Sequence, residues 1–192
     1  MTRLFLVRHG PTHAKSMVGW SDLPADLSDR GKIAALSRFL PDQARLVSSD
    51  LSRTRATADA LSAPGRLRLP DAPALRELHF GDWELKPFAE IDAEHPDLSR
   101  HFWTEPGDVA APNGESWNQM AERVQAGLAP LMAPGGDLIV VAHFAVILSC
   151  LARFRGVAPA EVLSHKIAPL SVTCLDYGTT PPQAPWVNHE PE

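Results

Sequence analysis

Arg8-His9-Gly10 follows a short apolar run, Thr2-Arg3-Leu4-Phe5-Leu6-Val7. A neutral imidazole is a nucleophile, and a guanidinium binds phosphate with a planar fork of donors. The glycine lets backbone approach a ligand closely. A second histidine, His143, ends the most strand-like run of the chain, Asp137-Leu138-Ile139-Val140-Val141-Ala142. Open α/β sheets bind ligands beyond the carboxyl ends of their strands, so His9 and His143 are expected at one sheet edge. Ser49-Asp50-Leu51-Ser52-Arg53-Thr54-Arg55 follows another strand-like stretch. An arginine in the first turn of a helix opposes the dipole there, which makes sense if an anion shares the site. The plainer reading, a solvated surface arginine, fits Arg55 at least as well as Arg53. In Leu75-Arg76-Glu77-Leu78-His79-Phe80-Gly81-Asp82-Trp83-Glu84, apolar and aromatic neighbours surround carboxyl groups. Such surroundings raise a carboxyl pKa and make it a proton donor near neutrality. On chemistry alone Glu77, Asp82 and Glu84 are equal candidates, and any of them could instead be a loop ion pair.

Strands are expected over 3–8, 45–48, 67–69, 137–142 and 171–177, with a last edge strand over 186–189 between prolines. Helices are expected after Ser28 through Ile33, Leu36 and Leu40, and after Ser52 through Leu61, each serine being read as the cap. Helical material over 88–103 is broken at Pro96. Ser116 and Gln119 have capping-box spacing, opening a helix to about Met132. A further helix runs from His143 to about Arg155, and a short one from Pro159 to about His165. Strands alternating with helices indicate a three-layer αβα sandwich on a mostly parallel sheet. No linker divides the chain, so 1–192 is read as one domain, with 84–114 as a segment covering the pocket. Phe88, Phe102 and Trp103 in that segment either line the pocket or pack it onto the body.

A formal net charge of −5 does not suggest a nucleic-acid partner, and any anionic substrate then needs local cations. The apolar N-terminal stretch is too short for a signal peptide, and no run reaches membrane-spanning length. The two cysteines, Cys150 and Cys174, lie in apolar runs and read as buried free thiols of a reducing compartment. A cytoplasmic protein without membrane or nucleic-acid partners is expected; oligomeric state is not legible. His9 and His13 have the spacing of zinc-binding histidines on a helix, but Gly10-Pro11 between them argues against a helix, and no metal site is expected.

Taken together, Arg8-His9-Gly10 with Thr12, Ser49-x-Leu51-x-Arg53-Thr54-x-x-Thr57-Ala58, Leu75-Arg76-Glu77-x-x-Phe80-Gly81-x-Trp83-Glu84 and Val140-Val141-Ala142-His143 resemble the four signature blocks of the histidine phosphatase superfamily, in the family's order. Gly19-x-x-Asp22-x-Pro24 and Asn113-Gly114-Glu115-Ser116 are similar to its pattern as well. The resemblance implies a phosphoglycerate mutase-like fold and phosphoryl transfer without a cofactor. His9 would be the nucleophile. Arg8, Arg53 and His143 would cradle the phosphoryl group, with a hydroxyl from Thr12. Glu77 would protonate the leaving oxygen. The chain departs from the family at Pro11, where many members have glutamate, at Lys15, near a usual asparagine, and at Phe144, where glycine is usual; Phe144 is expected to bind substrate or narrow the pocket. The short segment after Glu84 favours hydrolysis of a small phosphomonoester over mutase chemistry. Within the phosphatases the pattern is most similar to the alpha-ribazole phosphatase branch. The competing expectations are phosphoglycerate mutase-type transfer and a non-catalytic protein that binds phosphorylated ligands.

Overall fold

Continuous apolar runs, buried on both faces, build the centre of the sheet. The computed structural model describes residues 2–192. Six strands, β1 (Thr2–Arg8), β2 (Ala44–Ser48), β3 (Arg66–Arg68), β4 (Gly136–Ala142), β5 (Val172–Asp176) and β6 (Gln183–His189), lie in the order β3-β2-β4-β1-β5-β6. The first four in that order pair in parallel, while β5 runs antiparallel to β1 and β6 antiparallel to β5. Successive side chains of a strand face opposite sides. Phe5, Val7, Leu46, Ile139 and Val141 therefore share one core with α1 (Arg30–Phe39) and α2 (Ser52–Ala60). Leu4, Leu6, Val47, Leu138 and Val140 share the other with α5 (Trp117–Met132) and α6 (Phe144–Arg155). The result is the expected three-layer α/β sandwich on a mostly parallel sheet.

The remaining helices are α3 (Phe88–Glu94), α4 (Pro96–Thr104) and α7 (Pro159–Val162). α3 and α4 part at Pro96, as a proline ring requires. The capping box of α5 forms from both sides, Ser116 accepting from Gln119 N and Gln119 from Ser116 N. Both serine caps expected earlier in the chain are corrected. α1 is capped by Asp29, whose carboxylate accepts from Lys32 N at 2.9 Å. Ser52 is the first helical residue of α2, and its N–H is taken at 2.7 Å by Asp22 from the preceding loop. In each case a carboxylate, the stronger acceptor beside a helix dipole, takes the N–H. β6 starts at Gln183, earlier than expected; Pro185 fits there because β6 is an edge strand. Two short 3-10 turns, Pro73–Leu75 before Glu77 and Gly81–Trp83 after it, were not anticipated. No helix among the described residues is long and apolar enough to cross a membrane.

Candidate active site

β1 and β4 are neighbours in parallel register, with Arg8 opposite Ala142. Both strands thus end on the same edge, and the residues that follow, His9 and His143, meet there. His9 N donates to Ala142 O at 3.1 Å, and the two imidazole rings stand edge to face with centroids 5.1 Å apart.

Hydrogen bonds fix the protons of both rings. His9 Nδ1 lies 2.7 Å from Gly10 O. A carbonyl only accepts, so Nδ1 carries the hydrogen and Nε2 keeps its lone pair. Burial, then Arg53, holds the His9 pKa down to about 3, against a bond to Gly10 that acts the other way. His143 is fully buried, with Nε2 2.8 Å from Ser49 Oγ. Thr54 Oγ1 donates to Leu51 O at 2.8 Å, so the 2.7 Å bond between the two hydroxyls is donated by Ser49. Ser49 then accepts from His143 Nε2–H. His143 Nδ1 is buried without a partner among the described residues. Burial, then His9 and the nearby arginines, drives the His143 pKa well below its ordinary value.

Both predicted arginines converge on His9. Arg53 is 1% exposed and donates to Ser21 O at 2.9 Å and Gly19 O at 2.6 Å. Arg55, two residues on, is exposed and pairs with Asp71 at 3.1 Å. Arg8 donates to Ile167 O at 2.5 Å and faces the Phe144 ring 5.4 Å away, while its buried Nε has no acceptor among the described residues. The hydrogen bonds of Arg8 and Arg53 thus go to backbone carbonyls, not to carboxylates. Burial lowers both guanidinium pKa values, opposed first by Glu77.

The three carboxyl candidates separate. Glu77 is 7% exposed and sits at the N-terminus of α6, accepting from Leu78 N at 3.0 Å and Ala145 N at 3.1 Å. Burial raises its pKa in spite of those bonds and of Arg53 and Arg8. Asp82 is exposed and held by Asn113 Nδ2 at 2.9 Å. Glu84 accepts from the N–H groups of Gly19 at 3.1 Å, Trp20 at 2.7 Å, Ser21 at 3.2 Å and Phe80 at 3.2 Å, and from the Ser21 hydroxyl at 2.7 Å. Burial pushes its pKa up, but the Ser21 hydroxyl and the backbone donors outweigh that and lower it. Glu84 is therefore an ionised anchor for the loop whose carbonyls hold Arg53. Gly19 is required in that loop, because a Cβ there would overlap Leu78 O and Glu84 Oε1.

Arg8, His9, Thr12, Arg53, Glu77 and Phe144 all line one cleft of about 230 Å³. His143 does not line it; it lies behind His9, against Ser49. Of the aromatics in 84–114, Trp103 reaches the cleft wall, Phe102 packs edge-on against Trp83 with centroids 5.2 Å apart, and Phe88 is 52% exposed. Pro11 does not line the cleft; its carbonyl accepts from Asp26 N at 2.7 Å, and Lys15 is exposed. His13 pairs with Asp26 at 2.8 Å, and among the described residues no group of three or more metal-ligating side chains comes together.

Residue-by-residue chemistry missed the supporting hydroxyls. Thr57 Oγ1 accepts from Gly10 N at 3.0 Å and donates to Arg53 O at 2.7 Å, tying the two chemical segments together. Ser49, Thr54 and Thr57 lie inside a quoted sequence block, and short hydroxyl residues beside a strand end and helix start were the available signal. Arg123 grips Glu115 with two 2.7 Å bonds and donates to Glu77 O at 3.2 Å, and no spacing in the sequence marks it. The Glu84 linkage makes a testable prediction. Glu84→Gln is expected to weaken binding of inorganic phosphate about tenfold by displacing Arg53. Calorimetry on the double variant with Arg53→Ala checks it: an affinity no lower than that of Arg53→Ala alone is expected, whereas additive losses would show that Glu84 acts elsewhere.

With the geometry in place, comparison with known proteins is informative. The sequence profile of the histidine phosphatase superfamily (branch 1) matches residues 4–189. The chain is 30% identical over 199 aligned residues to the "Probable phosphoglycerate mutase GpmB" of Klebsiella pneumoniae, covering 97% of this chain and 88% of that one. It is 29% identical over 171 residues to the adenosylcobalamin/alpha-ribazole phosphatase of Salmonella typhimurium, covering 85% and 84%. Among solved structures, YhfR of Bacillus stearothermophilus superposes with a TM-score of 0.85 at 26% identity, over 98% of both chains. A match from β1 to the end of β6 takes in every segment that builds the cleft, and the chain belongs to the histidine phosphatase superfamily, branch 1.

Proposed function

We propose that the protein is a phosphomonoester hydrolase that works through a phosphohistidine at His9, on a small phosphorylated metabolite and without a metal. The observation that carries the reading is the pairing of an Nδ1–H tautomer, fixed by Gly10 O at 2.7 Å, with the buried Arg53 and half-buried Arg8 guanidiniums in the same cleft. His9 Nε2 attacks phosphorus, the ester P–O bond breaks, and the leaving oxygen takes the Glu77 proton. Gly10 O then holds the Nδ1–H of a cationic phosphorylated ring. Glu77, now a carboxylate, accepts a proton from water as the water oxygen attacks phosphorus. The N–P bond breaks, releasing phosphate and neutral His9. Arg8 and Arg53 hold the equatorial oxygens, Thr12 adds a hydroxyl, and Phe144 forms a wall of the substrate site. His143 supports the cradle from behind His9, its ring held in place by Ser49. A unit charge about 4 Å away contributes roughly 4 kcal/mol at an effective dielectric near 20. Phosphoryl transfer asks a protein chiefly for such charge placement.

The Salmonella relative's name supports alpha-ribazole 5′-phosphate as the first substrate to try. The Klebsiella relative's name supports mutase-type transfer as the second reading. We read 84–114 as the cover of the cleft within a single domain, Trp103 being its contribution to the wall. The two free buried cysteines suit a cytoplasmic setting.

A panel of phosphomonoesters, assayed with chelator present and including alpha-ribazole 5′-phosphate and 3-phosphoglycerate, tests the reading. Release of inorganic phosphate is expected, with a phosphoenzyme trapped by acid quench in the native protein and absent from His9→Ala. Phosphoenzyme in His9→Ala would refute the nucleophile assignment; isomerisation of phosphoglycerate faster than phosphate release would favour the mutase; no turnover would leave a binding protein.

The pKa shifts set a pH profile. The His9 pKa, lowered to about 3, keeps Nε2 free through the neutral range. The Glu77 pKa is raised, so its acid form persists above the ordinary carboxylate range and is lost as pH climbs through that raised value. The kcat/KM profile is therefore expected to fall on the alkaline side through Glu77. The substrate's own ionisation, near pH 6, is common to native protein and variant. Glu77→Gln is expected to remove the alkaline limb and to lower kcat/KM for alkyl phosphates about 10²–10⁴-fold, with a smaller loss on p-nitrophenyl phosphate, whose leaving group needs no proton. An unchanged alkaline limb in Glu77→Gln would assign the acid to another group.

A further inference from the structure

The cleft joins two cations to a set of apolar and aromatic side chains. Its cations, Arg8 and Arg53, stand around His9. Besides those three and Thr12, Ser16 and Glu77, the lining is apolar: Ala14, Met17, Val18, Phe80, Trp103 and Phe144. A second, partly open cavity of about 40 Å³ adjoins the cleft and shares Glu77, Phe80, Trp103 and Phe144 with it. Its remaining wall includes Phe102, Val109, Trp117 and Leu163. Apart from Glu77 and the two indole N–H groups, no side chain lining this annex can hydrogen-bond, and none carries a positive charge.

The position of Glu77 turns this into a statement about substrate. On the reading above, Glu77 gives its proton to the ester oxygen, so the organic group attached to that oxygen departs from beside Glu77. Its first atoms then face the aromatic wall and the mouth of the annex. A polyhydroxylated group, the ribose of alpha-ribazole 5′-phosphate included, would leave hydroxyls without partners against that wall, which ranks that candidate below aromatic esters, and a carboxylate would find no third cation, because Arg8 and Arg53 are committed to the phosphoryl end. A flat apolar group meets Phe80, Trp103 and Phe144 in contacts that favour aromatic rings. Phe144 acts at both ends: its ring faces the Arg8 guanidinium at 5.4 Å and closes the wall against the leaving group.

We infer that the protein selects phosphomonoesters whose leaving alcohol carries an aromatic or other flat apolar group one or two bonds from the ester oxygen, bound against Phe80, Trp103 and Phe144. This rests on the hydrolase reading, and the test separates the two. Benzyl phosphate and glycerol 3-phosphate both leave as primary alkoxides, so they make similar demands on Glu77 and differ in what the wall must accommodate. Steady-state kinetics on the native protein are expected to give a kcat/KM about ten- to a hundredfold higher for benzyl phosphate. Trp103→Ala, which removes wall, and Val109→Phe, which fills the annex, are each expected to lower that ratio at least several-fold, with thermal melts recording whether each variant is folded. Equal rates, or a preference for glycerol 3-phosphate, would overturn the aromatic selection and leave the hydrolase standing. A native ratio that both folded variants preserve would overturn the placement of the leaving group. Hydrolysis of neither ester would remove the hydrolase reading and this inference with it.

Discussion

Two guanidinium groups, Arg53 buried and Arg8 half-buried, are held here only by backbone carbonyls. Taking a charged group out of water costs of order several kcal/mol even after relaxation. A structural arginine usually recovers that cost from a carboxylate, as Arg76 does with Asp50 at 2.7 and 2.5 Å. Arg8 and Arg53 have no such partner, and the nearest acid, Glu77, is itself held toward its neutral form by burial. Carbonyls orient a guanidinium without cancelling its charge. The cleft therefore keeps a positive field in a low-dielectric setting where a phosphoryl dianion is the natural counterion, and burial first, then that field, keeps His9 unprotonated and nucleophilic.

The supporting structure serves that constraint. Parallel register of β1 and β4 brings His9 and His143 to one edge. The carboxylate of Glu84 gathers the N–H groups of 19–21 so that their carbonyls point at Arg53. Thr57 ties Gly10 to the helix that carries Arg53. Arg123 braces the segment bearing Glu77 through its carbonyl and through Glu115. Each brace acts through backbone, which fixes position without a carboxylate bonded directly to Arg8 or Arg53.

Much of this was legible before any coordinates, and for physical reasons. Val140-Val141-Ala142-His143 and Leu4-Phe5-Leu6-Val7 could only be buried strands, and two strand-end histidines in a parallel sheet share an edge. Pro96 and the Ser116–Gln119 pair marked helix boundaries because their signals are local. The choice between Arg53 and Arg55 was not legible from residue chemistry, since both begin the same helix and only the angle of α2 to the sheet decides which is buried. Glu77, Asp82 and Glu84 were indistinguishable for the same reason: their roles depend on whether α6, Asn113 or the loop at 19–21 supplies the donors. His143, expected in the cradle around the phosphoryl group, is fully buried beside His9 with its ring against Ser49, a depth that no spacing in the sequence signals. Ser28 and Ser52 were misread as caps because neighbouring carboxylates outcompete hydroxyls for a helix N-terminus, a contest that propensity alone does not register.

The tautomer of His9 is the most direct test of the whole scheme. Nitrogen-15 NMR of histidine-labelled protein, with His9→Ala to assign the signals, reports which ring nitrogen carries the proton. A protonated Nδ1 and a bare Nε2, unchanged across about pH 5 to 8, is the expected spectrum. A ring that titrates near its ordinary midpoint, or one that carries its proton on Nε2, would contradict the claim that burial, the arginines and Gly10 O hold His9 ready to attack.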